Sequence, residues 1–429
     1  MIFHVDGNGF YAACEALFRP DLTNKPIAVL SNNDGITIAL NQSCKNLGFK
    51  RGDRYFEMKY QYQKKGVTVF SSNYTLYADM CTRINMIYNS FCPDVEMYSI
   101  DESFLFFPNW KNVNWNDLGH TLRNEVAKQL HLPVSVGIAP TKTLAKMCNK
   151  LAKHRGGVCY WGNLNTDEEL KKYAVENIWG IGRSKTLLLT RLNIKTAYDL
   201  KYFPLHEAKQ KLTIQGFKTV QELNEICAID RIQDPTRKNI TCSKSFSHGV
   251  STLPELETAL AEYVQLAVTR MREDGSACRF VMVYIMTARS YDENSKNKEY
   301  FNGATIELPF STSYVTTILK AANSLLHSLY RPQYEYRKVM INLLGLEKDI
   351  IIQPDLFETE TKEQREKHKA IMAACEHINK KYGRGCLHPG TRNQIKDTQS
   401  NGKKANWIMQ RSFLSPNYTT NLSDIPAVF

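Results

Sequence analysis

Two adjacent acidic residues stand between two β-prone runs, and this arrangement constrains the fold more than any other feature. The runs are residues 95–100 and 104–107, and the acids are Asp101 and Glu102. Acids are poor strand formers and are costly to bury, so a pair of them inside a predicted hairpin needs an explanation. A third acid, Asp6, ends the β-prone run at the start of the chain. We expect the three carboxylates to converge on one patch of a central sheet.

Carboxylates that converge in this way need cations between them. Three neighbouring carboxylates repel one another, and divalent ions that prefer oxygen ligands, such as Mg²⁺, suit them. Two such ions about 3.5–4 Å apart are a recurrent device for in-line phosphoryl or nucleotidyl transfer. An isolated Asp-Glu pair is more often a solvated turn, so the carboxylates alone leave both interpretations open.

The rest of the N-terminal part alternates strand and helix patterns. Further β-prone runs lie at residues 26–30, 67–70 and 134–138, and helical patterns lie at 122–130 and 142–153. This order predicts an α+β domain with helices on one face of a mixed sheet.

Four further regions follow along the chain. Residues 166–232 carry short helical patterns, which predict a small all-helical domain. The polar, proline-containing segment at 233–240 predicts a linker, and residues 241–348 predict a second α+β domain. Beyond them lies a tail, 349–429, with one amphipathic helix that begins near Thr361.

The charge balance favours a polyanionic partner. The 55 Lys and Arg residues outnumber the 43 Asp and Glu residues, which gives a formal net charge of +12 and a pI near 9.0. Nucleic acid is therefore the first candidate and an acidic membrane surface the second. A hydrophobic fraction of 43% against 23% charged residues excludes a generally disordered chain.

No feature of the sequence predicts a membrane protein or a secreted one. The longest uninterrupted apolar run is residues 280–286, whereas a helix needs about 18 apolar residues to cross a bilayer. The N-terminus has an acid at Asp6 and no basic region followed by an apolar stretch. The 11 cysteines include no C-x-x-C pair, which is typical of reduced thiols in a cytoplasmic protein.

Four motifs then point to a family. DGNGFYAACE at 6–15 and SIDESF at 99–104 resemble the two catalytic motifs of Y-family, translesion DNA polymerases. LSNNDG at 30–35 and NQSCKNLG at 41–48 resemble the finger segment of the UmuC branch, the catalytic subunit of bacterial DNA polymerase V. The motifs occur in the family's order and the resemblance covers nearly the whole chain, which is identified as a member of this branch.

The resemblance implies a multidomain α+β fold of the right-hand polymerase type. Its parts are a ferredoxin-like palm, small fingers, a helical thumb with a helix-hairpin-helix, an α+β little finger and a C-terminal tail. The palm would comprise residues 1–30 and 73–165, the fingers 31–72 and the thumb 166–232. The linker, the little finger and the tail keep the boundaries given above.

The resemblance further implies an error-prone, template-directed DNA polymerase that adds deoxynucleotides to a primer 3′-hydroxyl during DNA damage bypass and the SOS response. Asp6, Asp101 and Glu102 would be the catalytic residues that hold two Mg²⁺ ions, with the Gly7 carbonyl as a further ligand. Many family members carry a second Asp where this chain has Asn8, so Asn8 is not expected to ligate metal.

The aromatic pair after the first motif is the expected sugar-recognition element. Tyr11, which follows Phe10, resembles the family's steric gate. A ring packed against the sugar leaves no room for a 2′-hydroxyl, so deoxynucleotides would be selected by shape. Without the motif, the pair would be interpreted as core aromatics beside a strand.

The other expected nucleotide-binding residues are polar, basic or apolar. The resemblance assigns Lys45 and Lys142 to the triphosphate, and Asn41 lies one helical turn before Lys45 on the same face. Ile36 and Ile38 share one strand face and would form the floor under the nascent base pair. Ordinary surface or core positions are the alternative for each of these residues.

IWGIGRSK at 178–185 resembles a helix-hairpin-helix turn. Gly180 and Gly182 would let the backbone approach a DNA phosphate, and Lys185 adds charge near the start of the next helix. An ordinary interhelical turn also uses glycine. Contacts of this kind ignore base sequence and weaken steeply with salt.

The predicted little finger carries basic residues on or beside its strands. These candidates for phosphate contacts are Arg279, Arg289, Arg337 and Lys338. Solvated surface positions are the alternative for them.

The tail carries the expected protein-binding segments. QPDLF at 353–357 resembles the peptide by which bacterial polymerases dock in the sliding clamp. Leu356 and Phe357 would fill an apolar cleft, and Gln353 would anchor a side pocket. Residues 365–429 resemble the C-terminal extension of UmuC proteins, which implies the processed UmuD dimer and the RecA filament as partners, besides primer-template DNA and dNTP.

Two other functions are compatible with parts of the pattern. A nucleotidyl cyclase can combine a similar sheet with two-metal carboxylates, but it would need no steric gate, helix-hairpin-helix turn or clamp peptide. A catalytically inactive DNA-binding scaffold on the same fold would have no need of all three acids. Primer extension with Mg²⁺ separates the three functions.

Overall fold

The structure is a computed structural model that describes residues 1–108, 110–231, 237–288, 299–349, 362–383, 386–387 and 410–425. The chain divides into two units, Met1–Gln233 together with Arg411–Phe429, and Asp234–Gln410. The C-terminal residues thus return to the unit in which the chain begins.

The first unit alternates strands and helices up to residue 160 and is helical after it. Its alternating part comprises β1 (Ile2–Gly7), α1 (Phe10–Leu17), β2 (Ile27–Leu30), β3 (Thr37–Leu40), α2 (Gln42–Asn46), α3 (Tyr55–Lys64), β4 (Thr68–Ser71), α4 (Tyr74–Phe91), β5 (Val95–Met97), β6 (Glu102–Phe106), α5 (Trp115–Leu130), β7 (Val134–Ala139), α6 (Lys142–Ala152) and β8 (Val158–Tyr160). Its helical part comprises α7 (Thr166–Lys172), α8 (Arg183–Arg191), α9 (Ala197–Lys201), α10 (Leu205–Lys211) and α11 (Thr213–Leu223).

A five-stranded sheet in the order β5-β6-β1-β7-β8 forms the centre of this unit. β1 pairs antiparallel with β6 and β7, and β7 pairs parallel with β8. Phe3 and Val5 share an apolar core with residues of α4 and α5, whereas Ile2 shares a core with residues of α6. Helices therefore cover both faces, and the prediction of helices on one face is wrong. The physical reason is that β1 and β7 are buried along their whole length and need cover on both sides.

β3, β2 and β4 form a separate small sheet in that order, with α2 and α3 beside it. β2 pairs antiparallel with β3 and parallel with β4. The ring of Tyr62 meets the ring of Phe49 edge-on at 4.4 Å, and its hydroxyl lies 2.7 Å from Thr37 Oγ1. This small core holds α3 on the sheet.

The buried side chain of Glu222 on α11 joins the helical part to the start of α6. Its carboxylate accepts hydrogen bonds from the N–H of Thr143 at 2.8 Å and of Ala228 at 3.0 Å. The Thr141 hydroxyl donates to the Glu222 carbonyl at 2.9 Å. A carboxylate at a helix N-terminus also complements the helix dipole. The start of α6 is therefore fixed, which matters because α6 carries lysines that reach the candidate site.

The second unit comprises β9 (Asn239–Val250), α12 (Leu253–Glu273), β10 (Ser276–Thr287), β11 (Phe301–Thr312), α13 (Val315–Leu329), β12 (Tyr336–Lys348) and α14 (Lys362–Tyr382). Its antiparallel sheet has the order β11-β10-β12-β9, and α12 and α13 share its apolar core.

Sequence analysis missed β9. Its buried residues are Ile240, Cys242, Phe246 and Val250, and Lys244 and several serines interrupt them. The period-two apolar pattern is consequently weak. β9 also takes Asn239 and Ile240 out of the predicted linker, of which residues 233–236 lie outside the described residues.

The predicted tail divides between the two units. α14 confirms the predicted amphipathic helix and packs on the second unit, where Met372 is buried in the apolar core. Glu376 forms an ion pair with Arg272 on α12, and the ring of His368 stacks on Tyr314 at 3.8 Å. No helix in the described ranges is long and apolar enough to cross a membrane.

Candidate active site

Asp6 lies directly opposite Glu102 in the antiparallel pairing of β1 with β6. The Gly7 N–H donates to the Asp101 carbonyl at 2.9 Å, which holds the residue before β6 against the end of β1. Asp6 is 7% exposed, whereas Asp101 and Glu102 are partly exposed. The strand pairing thus brings the three predicted acids to one end of two adjacent strands.

Two lysines of α6, and Lys153 directly after it, lie on one face and reach the ends of neighbouring strands. They are spaced by four and by seven residues, which at 3.6 residues per turn keeps them on the same side of the helix. The pairs are Lys142 with Glu96 near β5 at 2.8 Å, Lys146 with Glu102 on β6 at 2.7 Å, and Lys153 with Asp6 on β1. Their order along the helix is the order of β5, β6 and β1 in the sheet.

Burial and lysine pairing act in opposite directions on the pKa values of Asp6 and Glu102. Burial raises the pKa of Asp6, and the Lys153 ammonium opposes that rise. Burial also acts to raise the pKa of Glu102, but the neighbouring His4 and Lys146 outweigh it and hold that pKa at about 2. Glu102 is therefore charged at neutral pH, beside an acid whose charged form burial disfavours.

His4 is buried on β1, two residues before Asp6. Its Nε2 is 3.9 Å from Glu102 Oε2, which is an electrostatic contact and too long for a hydrogen bond. Neither ring nitrogen hydrogen-bonds to any residue that the structure describes, and burial lowers the pKa of the imidazole. The ring is therefore neutral at pH 7 and supplies an uncharged polar group beside the acids.

The donor set at this position fits a hard divalent cation. It consists of the carboxylates of Asp6, Asp101 and Glu102 and the carbonyl of Gly7, all of which are oxygen ligands of the kind that Mg²⁺ takes. A cation placed among them would also offset the burial that raises the pKa of Asp6.

In the structure, each of these carboxylates contacts another side chain. Lys153 pairs with Asp6 and Lys146 pairs with Glu102. Asp101 accepts a hydrogen bond from the Ser99 hydroxyl at 2.7 Å. No three acidic, histidine or cysteine side chains among the described residues are grouped closely enough to hold an ion.

Tyr11 belongs to a cluster of three tyrosines. Its ring stacks on Tyr77 at 4.4 Å, with the planes 10° apart, and meets Tyr74 edge-on at 5.9 Å. Burial raises the pKa of Tyr11 to about 12, and Tyr74 and Asp101 add to the rise, so the hydroxyl stays protonated. The adjacent Phe10 is only 3% exposed. Of the predicted aromatic pair, only Tyr11 retains surface that a nucleotide can contact.

Lys142, which is predicted to contact the triphosphate, is enclosed at the start of α6. It is 2% exposed, and its ammonium donates to both Glu96 oxygens at 2.9 and 2.8 Å and to the Asp230 carbonyl at 3.0 Å. These contacts use all three ammonium hydrogens. In this arrangement the ammonium has no donor left for a ligand, and the assignment of Lys142 to the triphosphate stays a prediction.

The predicted finger residues differ in their surroundings. The Asn41 carbonyl oxygen accepts from the N–H of Cys44 and of Ile27, each at 3.0 Å, and its amide donates to the Lys25 carbonyl at 2.7 Å. Asn41 therefore caps α2 and ties it to β2. Lys45 is exposed in the last turn of the same helix.

The two isoleucines predicted beneath the base pair are partly accessible. Ile36 is 42% exposed and forms an isolated bridge with Arg54 just before β3. Ile38 is half-buried against the core shared with α1 and α4. Both therefore retain some apolar surface on the small sheet.

The glycine turn at 180–182 precedes α8. Gly180 has a φ of +86°, which disfavours any side chain, whereas Gly182 has a φ of −91° and open space around its Cα. Lys185 folds back and donates to the Gly180 carbonyl at 3.1 Å. No side chain in the described ranges caps α8, so its first N–H groups remain available to a ligand.

The basic residues of the second unit lie in different surroundings. Arg279 pairs with Glu307 at 3.0 Å and donates to the Pro309 carbonyl at 2.8 Å. Lys338 lies on the sheet face opposite the buried residues of β12, and Arg337 precedes it, partly buried. Arg289 and the segment with Gln353, Leu356 and Phe357 lie outside the described residues.

Sequence analysis missed Lys146, Lys153 and His4. A signal for the lysines existed, because their spacing along the predicted helix puts them on one face together with Lys142. This spacing did not single the lysines out, because a lysine on a helix is ordinarily a solvated charge. His4 had no comparable signal, since a histidine in a β-prone run is ordinarily a core residue.

Comparisons with known proteins identify the family of the chain. The impB/mucB/samB family matches residues 5–150, its C-terminal domain matches 237–356, and a domain of unknown function matches 369–428. The chain is 35% identical over 428 residues to protein UmuC of Salmonella typhimurium, with 98% of each chain covered. The chain belongs to the impB/mucB/samB family. Within it, the resemblance to the UmuC branch of Y-family polymerases is confirmed.

Other relatives of this UmuC-branch chain extend the comparison. Protein MucB of Escherichia coli is 34% identical, with 98% of each chain covered. A DNA polymerase IV of Moorella thermoacetica is 27% identical, with 89% of this chain and 94% of the relative covered.

Solved structures confirm the predicted polymerase fold class. A Y-family DNA polymerase chimera of Dbh and Dpo4 matches with a TM-score of 0.67 at 19% identity, over 82% of this chain and 99% of that chain. An insertion ternary complex of Dbh DNA polymerase matches with a TM-score of 0.52 at 19% identity and the same coverage. At this identity the likeness concerns the fold alone.

Proposed function

We propose that the site of Asp6, Asp101 and Glu102 transfers a deoxynucleotide from a dNTP to the 3′-hydroxyl of a DNA primer, directed by a template strand. In this proposal the protein is an error-prone, translesion DNA polymerase. The observation that carries it is the pairing of β1 with β6, which sets Asp6 opposite Glu102 in a chain whose structural neighbours are Y-family DNA polymerases.

The same proposal assigns the parts of the fold. The five-stranded sheet with α4, α5 and α6 is the palm, and the small sheet with α2 and α3 forms the fingers. The helices from α7 to α11 form the thumb, with the glycine turn before α8 as its DNA contact. The sheet of the second unit, with α12 and α13, is the little finger; it begins at Asn239, two residues before the predicted range of 241–348.

Divalent-metal dependence is general in this family, and we assign two Mg²⁺ ions to the three carboxylates and the Gly7 carbonyl. When bound, such ions activate the attacking hydroxyl and neutralise the triphosphate. The acids themselves hold the negative charge that attracts the ions, and the low pKa of Glu102 keeps that charge present at neutral pH.

A triphosphate brings negative charge to a site that already holds three acids, so the protein must supply a cation. The side chain of Lys153 is 42% exposed beside Asp6, whereas Lys142 is enclosed. Lys153 can therefore move from the carboxylate to a phosphate oxygen. We assign the triphosphate contact on α6 to Lys153 in place of Lys142.

Tyr11 is the proposed sugar-selecting residue. Its stacking on the fully buried Tyr77 fixes the ring, and the Asp101 carboxylate adds to the rise in the pKa of its hydroxyl. A fixed ring beside the catalytic acids can exclude a ribose 2′-hydroxyl by shape.

The proposed partners beyond dNTP and primer-template DNA are the sliding clamp, the processed UmuD dimer and RecA. Their support is the resemblance of residues 353–357 and 365–429 to the corresponding segments of the family. Damage bypass in the SOS response would take place in the bacterial cytoplasm, at the nucleoid when the protein is on DNA.

Primer extension with Mg²⁺ tests the proposal. Asp101→Ala should reduce extension by about a thousandfold or more while DNA binding persists, because it removes a group needed only for the chemistry. Asp21→Ala, which changes an exposed acid, is the matched control. DNA binding without extension by the unaltered protein would favour the inactive scaffold, and a cyclic nucleotide formed without primer would favour the cyclase.

A further inference from the structure

Residues 411–425, here named the C-terminal strap, lie against the edge of the small sheet. The Ser71 N–H donates to the Phe413 carbonyl at 2.9 Å, and the Phe413 N–H donates to Ser71 Oγ at 2.9 Å. Leu414 forms a parallel bridge with Ser71. Because β4 is an edge strand, the strap satisfies backbone groups there that the small sheet leaves unpaired.

Asp34 fastens the first residues of the strap. One carboxylate oxygen accepts from the Ser412 N–H at 2.7 Å, and the other accepts from the Ser71 hydroxyl at 2.6 Å. The ring of Phe413 meets Tyr55 of α3 edge-on at 5.6 Å. The strap therefore contacts both the loop after β2 and the start of α3.

Asn73 fastens the centre of the strap. It is 2% exposed, and its amide group donates to the Ser415 carbonyl at 3.2 Å, to Ser415 Oγ at 3.0 Å and to the Pro416 carbonyl at 3.2 Å. Its carbonyl oxygen accepts from the Leu76 N–H at 3.2 Å and so caps α4. One buried side chain thus connects the strap to the first turn of α4.

The strap also reaches α1, which carries Tyr11. The ring of Tyr418 stacks on Phe18, the residue after α1, at 4.7 Å with the planes 16° apart. Between the two attachment points, the Tyr77 hydroxyl on α4 donates to the buried Glu15 of α1 at 2.6 Å. The strap therefore holds the two helices whose tyrosines stack on each other.

We propose that the C-terminal strap is a positioning element of the nucleotide pocket, which keeps α1 and α4 in the register that stacks Tyr11 on Tyr77. Released from the strap, the start of α4 loses its support, and Tyr11 loses the fixed position from which it excludes a 2′-hydroxyl. Asn73 is the positioning residue. The proposal rests on the proposed role of Tyr11 and gives a function to the last part of the domain of unknown function.

Two variants release the strap in different ways. Asn73→Asp keeps an oxygen that can cap α4, but it removes the amide donor and sets a carboxylate against the carbonyl oxygens of Ser415 and Pro416. Termination after Gln410 removes the strap entirely. Leu422→Ala is the matched control, because Leu422 is 87% exposed in the same segment.

The measurement is single-nucleotide insertion of dCTP and of rCTP opposite template dG, by the full-length variants. Asn73→Asp should lower the dCTP/rCTP ratio of kcat/KM about tenfold, with kcat for dCTP within about twofold, because positioning of the gate is lost and the chemistry is not. A synthetic peptide of residues 411–429 added to the truncated chain should restore its ratio. Leu422→Ala should leave the ratio unchanged.

Tyr11→Ala separates this proposal from the proposed function. If Tyr11→Ala lowers the ratio and Asn73→Asp leaves it unchanged, the strap has no positioning role and the proposal is overturned. If Tyr11→Ala itself leaves the ratio unchanged, Tyr11 is not the gate and the premise fails. If the truncated chain does not fold, the ratio measured for Asn73→Asp alone decides whether the strap has a positioning role. It is measured at a temperature at which thermal unfolding shows both Asn73→Asp and Leu422→Ala to be folded.

Discussion

Lys153, which directly follows α6, forms an ion pair with Asp6 at the end of β1. The Asp6 carboxylate is only 10% exposed, and burial alone would favour its neutral form. The lysine supplies a positive charge that opposes this effect of burial. A partly exposed lysine can leave this position without unfolding any element, so the pair is compatible with later binding of a cation and of a triphosphate.

Lys153→Ala should lower kcat/KM for dNTP by about tenfold to a hundredfold, because it removes the cation beside Asp6 that can meet the triphosphate. Lys150→Ala is the matched control, since Lys150 lies on the same helix but contacts the Tyr173 ring. Steady-state insertion kinetics at saturating primer-template check this expectation. Equal losses in both variants would show a general effect of the charge of α6.

Lys142→Met should destabilise the protein without a specific effect on nucleotide binding. The change leaves the enclosed Glu96 without its lysine, and breaking a buried ion pair costs about 3–5 kcal/mol of unfolding free energy. The double variant Lys142→Met/Glu96→Gln should recover most of that loss. Urea unfolding measures the stability, and KM for dNTP should stay within about twofold at a temperature where the variant is folded. A raised KM at unchanged stability would instead support a triphosphate contact.

Glu15 should make stability depend on pH. Burial raises the pKa of Glu15 to about 7, while hydrogen bonds from Tyr77 and Ser415 oppose the rise, and its ordinary value is 4.5. The folded state therefore retains a proton that the unfolded chain releases between these two values. The resulting stabilisation is complete below about pH 4.5 and is lost as the pH rises through about 7, a change of about 3 kcal/mol.

Glu15→Gln tests this dependence, because glutamine keeps an acceptor for Tyr77 and does not titrate. Urea midpoints measured at about pH 5 and about pH 8 should differ less in this variant than in the unaltered protein. Glu57→Gln, at an exposed position on α3, should leave the original difference in place. An undiminished difference in Glu15→Gln would show that another group is responsible.

The two glycines of the turn before α8 should respond differently to alanine. Gly180→Ala forces a side chain into a positive φ and should cost about 1 kcal/mol or more of unfolding free energy. Gly182→Ala should be tolerated by the fold, but its methyl group would stand at the start of α8, where a phosphate is expected. Its Kd for primer-template DNA should therefore rise about threefold to tenfold at unchanged thermal stability. An unaltered Kd for Gly182→Ala would place the phosphate contact elsewhere.

Features set by neighbouring residues were predictable from the sequence. The strand-end acids, the glycine turn and the amphipathic pattern of α14 each appear within a short stretch, and the structure contains each of them. The strand β9 was missed because its apolar residues are interrupted by polar ones, and pairing with β12 compensates for this weak local pattern.

The sequence alone predicted that Asp6 ends one strand, that Asp101 and Glu102 stand between two others, and that lysines recur along a helix at 142–153. Only the tertiary structure decided which lysine meets which acid. Lys142 and Lys153 have the same residue type on the same helix face, yet one is enclosed by Glu96 and Asp230 and the other reaches Asp6 from the surface. The position of the strap depends even more on the tertiary structure, because Asn73 and Ser415, which hydrogen-bond to each other, are more than 300 positions apart in the sequence. Local patterns report the conformation of a segment, whereas burial and charge pairing depend on groups that only the folded chain brings together.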